Sequence, residues 1–365
     1  MSDKLSQRRQ VYSHLSSRLA ELDNTQLSAM LNAASSPAGS NWGSHETLRL
    51  GATKVFVKRI PVTDREVANP YTTRNLYDLP CHYNYGVGSV GLGVYRELLA
   101  HIKTNNWVLA GDSESFPLLY AHRIVPIQAS GRAIDLADHR AMVTYWGEHP
   151  GIDSYLLERS RASHELLLFL EYIPQTLRAW LFAHPDQVER MLASLRDTLD
   201  FLSAQGIIHF DTHFLNVLTD GEQCYLSDFG LALDKRFALA AHEKAFFKHN
   251  RDYDYGQVLW SLCYVLRDAF DAATPRVQSR LQARYGLDAT KHARQAIPIL
   301  LDQIEDVHAQ GLLKLNDTYV ACLLRYRDVI QLMQAFYTEL QANQQKDTRF
   351  RHAQLRRCLL ACGFR

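Results

Sequence analysis

Asp211, Asn216 and Asp228 are the residues whose types and spacing most clearly carry chemistry. They lie in one stretch, residues 206–230, reading G-I-I-H-F-D-T-H-F-L-N-V-L-T-D-G-E-Q-C-Y-L-S-D-F-G. Asp211 and Asn216 share an H-x-D-x-x-x-x-N loop that follows an apolar strand pattern, and a hairpin with an Asp220-Gly221 turn leads on to D-F-G. Short, stiff connections therefore hold two carboxylates and a carboxamide near one another. Any one of them alone is an ordinary surface polar residue. In this order they are the equipment of phosphoryl transfer, in which one carboxylate orients an attacking hydroxyl. A carboxamide and a second carboxylate hold Mg²⁺ against the phosphates.

The stretch resembles the catalytic and metal-binding loops of the protein-kinase-like superfamily, with His209-Phe210-Asp211 in place of H-R-D and Asp228-Phe229-Gly230 matching D-F-G. The resemblance extends over residues 40–270, and no motif matches the remainder to a family. It implies an α+β, bilobal fold with a small β-rich N-lobe and a larger, mainly helical C-lobe. The expected divisions are an N-terminal helical extension over 1–36, an N-lobe over 37–172 with an insertion at 60–93, and a C-lobe over 173–365. It implies ATP and Mg²⁺ as cofactors, with Asp211 as the catalytic carboxylate and Asn216 and Asp228 as metal ligands. Lys58, ending V-F-V-K, corresponds to the lysine that contacts the α- and β-phosphates, and Glu97 is its expected acidic partner, with Glu114 as a weaker competitor. Gly39 and Gly43 would belong to a phosphate-covering loop that departs from G-x-G-x-x-G. Glu171, Tyr172 and Ile173 resemble the segment that links the lobes and holds adenine through its backbone.

Three departures from the protein-kinase pattern bear on the acceptor. Phe210 stands where many regulated kinases carry arginine, so an activation-loop phosphate would lack that partner. His213 stands two residues after Asp211, and D-x-H-x-x-N is similar to the loop of aminoglycoside and choline phosphotransferases. No A-P-E follows Gly230, and the segment before R-D-Y-D-Y-G is short, which leaves little platform for an extended peptide.

The elements that must position these residues are legible in outline. Apolar spacing predicts two short helices over residues 5–33 with a break at Asp23-Asn24, then strands at 47–50 and 54–58. Alternation puts Phe56 and Lys58 on one strand face and Val55 and Val57 on the other. A literal G-x-G-x-x-G at Gly86, Gly88 and Gly91 follows a poor strand, which argues against a dinucleotide fold. It reads either as a lead into the Glu97 helix or as backbone amides approaching phosphate at a helix start. Residues 107–173 read as strands and loops. A stripe at Val188, Met191, Leu195, Leu199 and Leu202 predicts a helix stopped by Gly206. A single apolar helix follows Arg251, at whose start Asp252 or Asp254 is expected to bond the catalytic-loop backbone, and amphipathic helices continue over 275–340. The basic residues Lys346, Arg349, Arg351, Arg356 and Arg357 read as a solvated helix face or as a dock for an acidic partner.

Composition narrows the function. With 40 basic and 39 acidic residues there is no global field to draw in nucleic acid or an anionic membrane. An apolar fraction of 47% indicates a globular chain. The six scattered cysteines form no C-x-x-C pair, no run reaches the length of a membrane span, and the charged N-terminus is unlike a signal peptide, so a cytoplasmic setting with reduced thiols is expected. Three functions compete. The first is an atypical serine/threonine protein kinase with a protein substrate, favoured by D-F-G-L-A and the Glu171-Tyr172 linker. The second is a kinase acting on a small-molecule hydroxyl, favoured by His213. The third is a nucleotide-binding module whose fold serves as a scaffold.

Overall fold

A computed structural model describes residues 3–32, 38–40, 43–86, 88–127, 135–287 and 293–365. The architecture is α+β, with a small antiparallel sheet in the N-terminal part and a helical C-terminal part. The chain divides into two compact units. The first comprises residues 1–173 together with 227–248 and 343–347, and the second 174–226, 249–342 and 348–365. Among the described residues no helix is long and apolar enough to cross a membrane, and all six cysteines are free thiols.

The first unit is built on a five-stranded antiparallel sheet. Its strands are β1 (Ala38–Ser40), β2 (Gly43–Leu50), β3 (Thr53–Val62), β4 (Leu119–Pro126) and β5 (His164–Glu171), in the order β1-β2-β3-β5-β4. β3 is central enough to be covered on both faces, and its period-two pattern decides what each face meets. Val55 and Val57 are wholly buried on one side. Ile60 and Val62, with Phe56 at the edge, pack on the other side against Val94, Tyr95 and Leu98 of the Val94–Ala110 helix. Lys58 shares that second face, so the sheet presents its ammonium to the helix that carries Glu97.

The start of that helix is built by the segment following β3. Thr63 caps a short Asp64–Ala68 helix in a capping box, Thr63 Oγ1 accepting from Glu66 N and Glu66 Oε2 from Thr63 N. The other carboxylate oxygen of Glu66 accepts the Val94 N–H at 2.8 Å, so a buried acid satisfies an N-terminal amide of the long helix. Gly111, at φ +87°, closes the helix in the left-handed conformation that glycine adopts without steric cost. At the N-terminus of the chain, the Asp3–Ala20 helix lies against β4, and the helix Asn24–Asn32 follows after the break expected at Asp23-Asn24.

The expectation of strands and loops throughout 107–173 is corrected. The Glu97 helix runs on to Ala110, and Leu136–Tyr145 and Pro150–Ser160 are helices, leaving β4 and β5 as the strands among the described residues there. Ile152, Tyr155, Leu156 and Arg159 are the buried positions of the second helix, at helical spacing, whereas the first buries no residue and so carries no apolar stripe to read.

In the second unit the Val188–Gln205 helix ends on Gly206 at φ +78°, as its stripe predicts. Val217–Thr219 and Cys224–Leu226 form the hairpin, joined to Gln175–Thr176 in a three-stranded sheet. The turn uses Gly221 at φ +91°, and the Arg190 guanidinium donates to the Gly221 and Glu222 carbonyls. The single apolar helix expected after Arg251 is two, Tyr253–Trp260 and Leu262–Asp271, interrupted at Ser261, whose hydroxyl donates back to the Gln257 carbonyl. The expected run of helices over 275–340 is present as Pro275–Tyr285, Ala293–Asp302, Ile304–Ala309, Asp317–Arg325 and Arg327–Ala342.

Candidate functional site

In the first unit, Lys58, Glu97 and Asp228 come together. Lys58 Nζ donates to Glu97 Oε1 at 2.6 Å and to Asp228 Oδ1 at 2.8 Å. Glu97 reaches the lysine because residues 94, 97, 98 and 101 share the helix face that packs on the sheet. Glu114 lies beyond the end of that helix, and its carbonyl accepts from Arg8. The Glu97 side chain is 7% exposed, Lys58 22% and Asp228 43%, so the cluster is closed on the glutamate side and open on the aspartate side. Burial works against charge on Lys58, but the two carboxylates outweigh it and hold the ammonium above the usual lysine range. Burial pushes the Glu97 carboxyl up, and Lys58 pulls against that rise.

Asp228 has φ +64°, a conformation that costs a non-glycine residue free energy and is tolerated where the surroundings demand it. Beside it, Phe229 is wholly buried, edge-on to His101 of the Glu97 helix at 5.1 Å between ring centroids and tilted against Phe116 at 6.2 Å. Gly230 sits under the glycine-rich stretch. The Leu92 N–H donates to the Gly230 carbonyl at 3.1 Å, and a Cβ on Gly91 (φ +102°) would come within 3.2 Å of that oxygen. The literal G-x-G-x-x-G is thus a lead into the Glu97 helix that passes close over D-F-G. Because Glu66 already takes the Val94 amide, a phosphate has no place at that amide.

In the second unit, Asp211, His213 and Asn216 come together. Asn216 Nδ2 donates to the Asp211 carbonyl at 3.0 Å and to its carboxylate at 2.7 Å, while His213 Nε2 lies 3.2 Å from the other carboxylate oxygen. His213 Nδ1 is buried without a partner among the described residues, and its ring stands edge-on to Tyr264. Of the two aspartates considered for holding this loop, Asp254 does so. Its carboxylate accepts from His209 N at 2.7 Å and from Phe210 N at 2.8 Å. Gln257 Oε1, one turn on, takes the Thr212 N–H. Burial pushes the Asp254 carboxyl up to about 7, against the two backbone donors and helped by the nearby Asp211 charge. Phe210, at φ +64°, is wholly buried against Tyr253 and so is part of the core.

Glu171 ends β5 and Tyr172 and Ile173 follow it, but the Glu171 side chain is already committed. Arg8 of the N-terminal helix donates to it from Nε and Nη2 at 3.0 and 2.7 Å and reaches the Glu114 and Phe116 carbonyls as well. Tyr172 lies beneath Lys54 Nζ, 4.9 Å from the ring centroid. Gly39 and Gly43 lie on β1 and β2, with Gly39 opposite Ser44 and Gly43 opposite Ser40. The tip between the strands, residues 41–42, and the start of the small-residue stretch at 35–37 lie outside the described residues. Sequence reasoning missed Arg8, Glu66 and Arg96. A buried arginine and a capping glutamate have the same local pattern as exposed ones, though T-x-x-E at Thr63–Glu66 was a readable capping signal.

Among the described residues no group of three or more His, Cys, Asp or Glu is arranged to hold a metal. That does not conflict with Mg²⁺, which keeps several waters and takes one or two carboxylates together with substrate phosphates. The half-exposed Asp228 carboxylate fits such a ligand. Asn216, with its amide nitrogen on Asp211, has Oδ1 as the atom chemically suited to the ion.

No protein-family model matches the chain, and no curated protein matches it. Among solved structures, one described as WaaP in complex with acyl carrier protein is similar to it, at 12% identity over 78% of this chain and 91% of that one, with a TM-score of 0.33.

Proposed function

We propose that the chain is an ATP- and Mg²⁺-dependent phosphotransferase whose acceptor is a serine or threonine hydroxyl of a protein. The observation that carries the phosphotransferase part of this reading is the Lys58 ammonium held between Glu97 and Asp228 at 2.6 and 2.8 Å, while D-F-G-L-A and the Glu171-Tyr172 linker favour the protein acceptor. A solvated edge lysine needs no such holding. A lysine that must meet the α- and β-phosphates needs to be kept charged and aimed, and one buried and one half-exposed carboxylate supply both. On this reading Asp211 orients the acceptor hydroxyl and takes its proton, with Asn216 and His213 fixing the carboxylate. Asn216 and Asp228 would each offer an oxygen ligand to Mg²⁺, which when bound would offset charge on the phosphate oxygens. Glu171 contributes to the linker through its backbone, its side chain being engaged by Arg8.

A small-molecule acceptor is the second reading. His213 on Asp211 favours it, as does the short segment after Gly230, which is fastened to residues 73, 84 and 92. Incubating a host lysate with γ-labelled ATP, Mg²⁺ and either wild type or Asp211→Ala separates the readings. Label on protein that depends on Asp211 supports the first, and label on small metabolites the second. Nucleotide binding without turnover would make the chain a scaffold and end the phosphotransferase reading.

A further inference from the structure

Arg96 precedes Glu97 on the same helix, yet it is 1% exposed and reaches away from the lysine. Its Nη2 donates to Glu243 Oε1 at 2.7 Å and its Nε to the Thr73 carbonyl at 2.8 Å. Glu243, 3% exposed, stands in the first turn of the Ala241–His249 helix, and its second oxygen accepts the Ala240 N–H. Two turns along from Arg96, Lys103 pairs with the buried Asp234. Both cations also face the Phe237 ring, at 5.9 and 5.4 Å. The insertion completes the arrangement, for Asn84 Nδ2 donates to the Leu231 carbonyl at 3.0 Å and Thr73 Oγ1 accepts the Ala238 N–H at 2.8 Å. The helix bearing Glu97 is thus tied to the segment after D-F-G by one buried and one part-buried ion pair, and the insertion adds hydrogen bonds to the same segment, all within the first unit.

In regulated kinases, order in this segment is supplied by an added phosphate that pairs with arginine. Here a carboxylate already occupies that role. We propose that Arg96 is a positioning residue: through Glu243 and Thr73 it fixes the helix that carries Glu97, so that the Lys58–Glu97 pair is assembled without phosphorylation. The inference rests on the phosphotransferase reading for its consequence but not for its geometry. Leaving one member of a buried pair uncompensated is strongly unfavourable, so losing the Glu243 charge should release the helix rather than leave Arg96 in place.

The test uses the full chain. One arm measures ATP turnover with Mg²⁺ before and after treatment with a broad-specificity phosphatase. The other measures the rate at which an amine-acetylating reagent labels Lys58, read by mass spectrometry without nucleotide. We expect unchanged turnover after phosphatase. In Glu243→Gln we expect Lys58 labelling to rise and kcat/KM for ATP to fall roughly tenfold, with recovery in Glu243→Asp. Should Glu243→Gln fail to fold, Arg96→Lys, which keeps the charge and loses the fork, is expected to move both readouts in the same direction. A folded variant whose Lys58 labelling matches wild type overturns the inference, as does activity abolished by phosphatase. Absence of turnover in wild type would overturn the phosphotransferase reading instead, and Lys58 labelling still decides the positioning role.

Discussion

Replacing Lys58 by methionine tests the cluster most directly, because the structure assigns unequal weights to its two pairs. At ion-pair distance, opposite charges attract by about 4 kcal/mol at an effective dielectric of 20, and desolvation offsets part of that. Glu97 and Lys58 are mostly buried, so their coupling should survive at about 2–3 kcal/mol. Asp228 is 43% exposed, and solvent screening should reduce its coupling to Lys58 below about 1 kcal/mol. Double-mutant cycles with Glu97→Gln and Asp228→Asn measure both. The readout is native-state hydrogen exchange of β3 and β5 amides, which reports the first unit alone and does not require the whole chain to unfold in one step. The pH dependence gives a second check. Glu97 is raised in the folded protein, so its contribution to stability is greatest below the ordinary glutamate pKa and falls as pH rises through the folded value. Lys58 restrains that rise. In Lys58→Met the folded pKa of Glu97 climbs further and the loss extends to higher pH, so the deficit relative to wild type should be small near pH 5 and grow towards pH 8. Equal couplings for the two carboxylates, or a deficit that shrinks as pH rises, would refute the reasoning.

Other expectations follow from single contacts. Asp211→Asn should leave ATP affinity within a few-fold of wild type and lower phosphoryl transfer by at least about a hundredfold, measured with labelled ATP at saturating acceptor. Asp254 titrates at about 7 in the fold against an ordinary value of 3.8, so its contribution to stability is greatest below the lower value and is lost as pH rises to the upper one. The stability difference between wild type and Asp254→Asn should therefore change with pH only across that window, a profile that denaturation at stepped pH would reveal; a flat difference would count against the raised pKa. Arg8→Ala removes charge-assisted bonds to Glu171 and leaves the Phe116 carbonyl without its buried donor, at a cost of about 2–3 kcal/mol, seen as faster proteolytic release of the Asp3–Ala20 helix. Gly91→Ala should lower the melting temperature, because its Cβ would press on the Gly230 carbonyl in a backbone conformation that L side chains rarely adopt.

What the sequence determined by itself lay in local period and fixed connection. The alternation in V-F-V-K put Lys58 on the face opposite Val55 and Val57, the Leu stripe ended at Gly206, and the Asp220-Gly221 turn placed D-F-G after its hairpin. Each follows from side-chain direction along a strand or helix, or from a turn that few residues can make, and needs no knowledge of distant neighbours. The tertiary structure alone decided the charge pairings that no motif announced. Arg8 with Glu171 and Arg96 with Glu243 join residues 163 and 147 positions apart, and packing chose Asp254 over Asp252 for the His209 and Phe210 amides. A buried ion has no local signature, since its partner is chosen by packing and its burial by what lies across the core. The same holds for the Leu136–Tyr145 helix, which buries nothing and so leaves no periodic mark in the sequence.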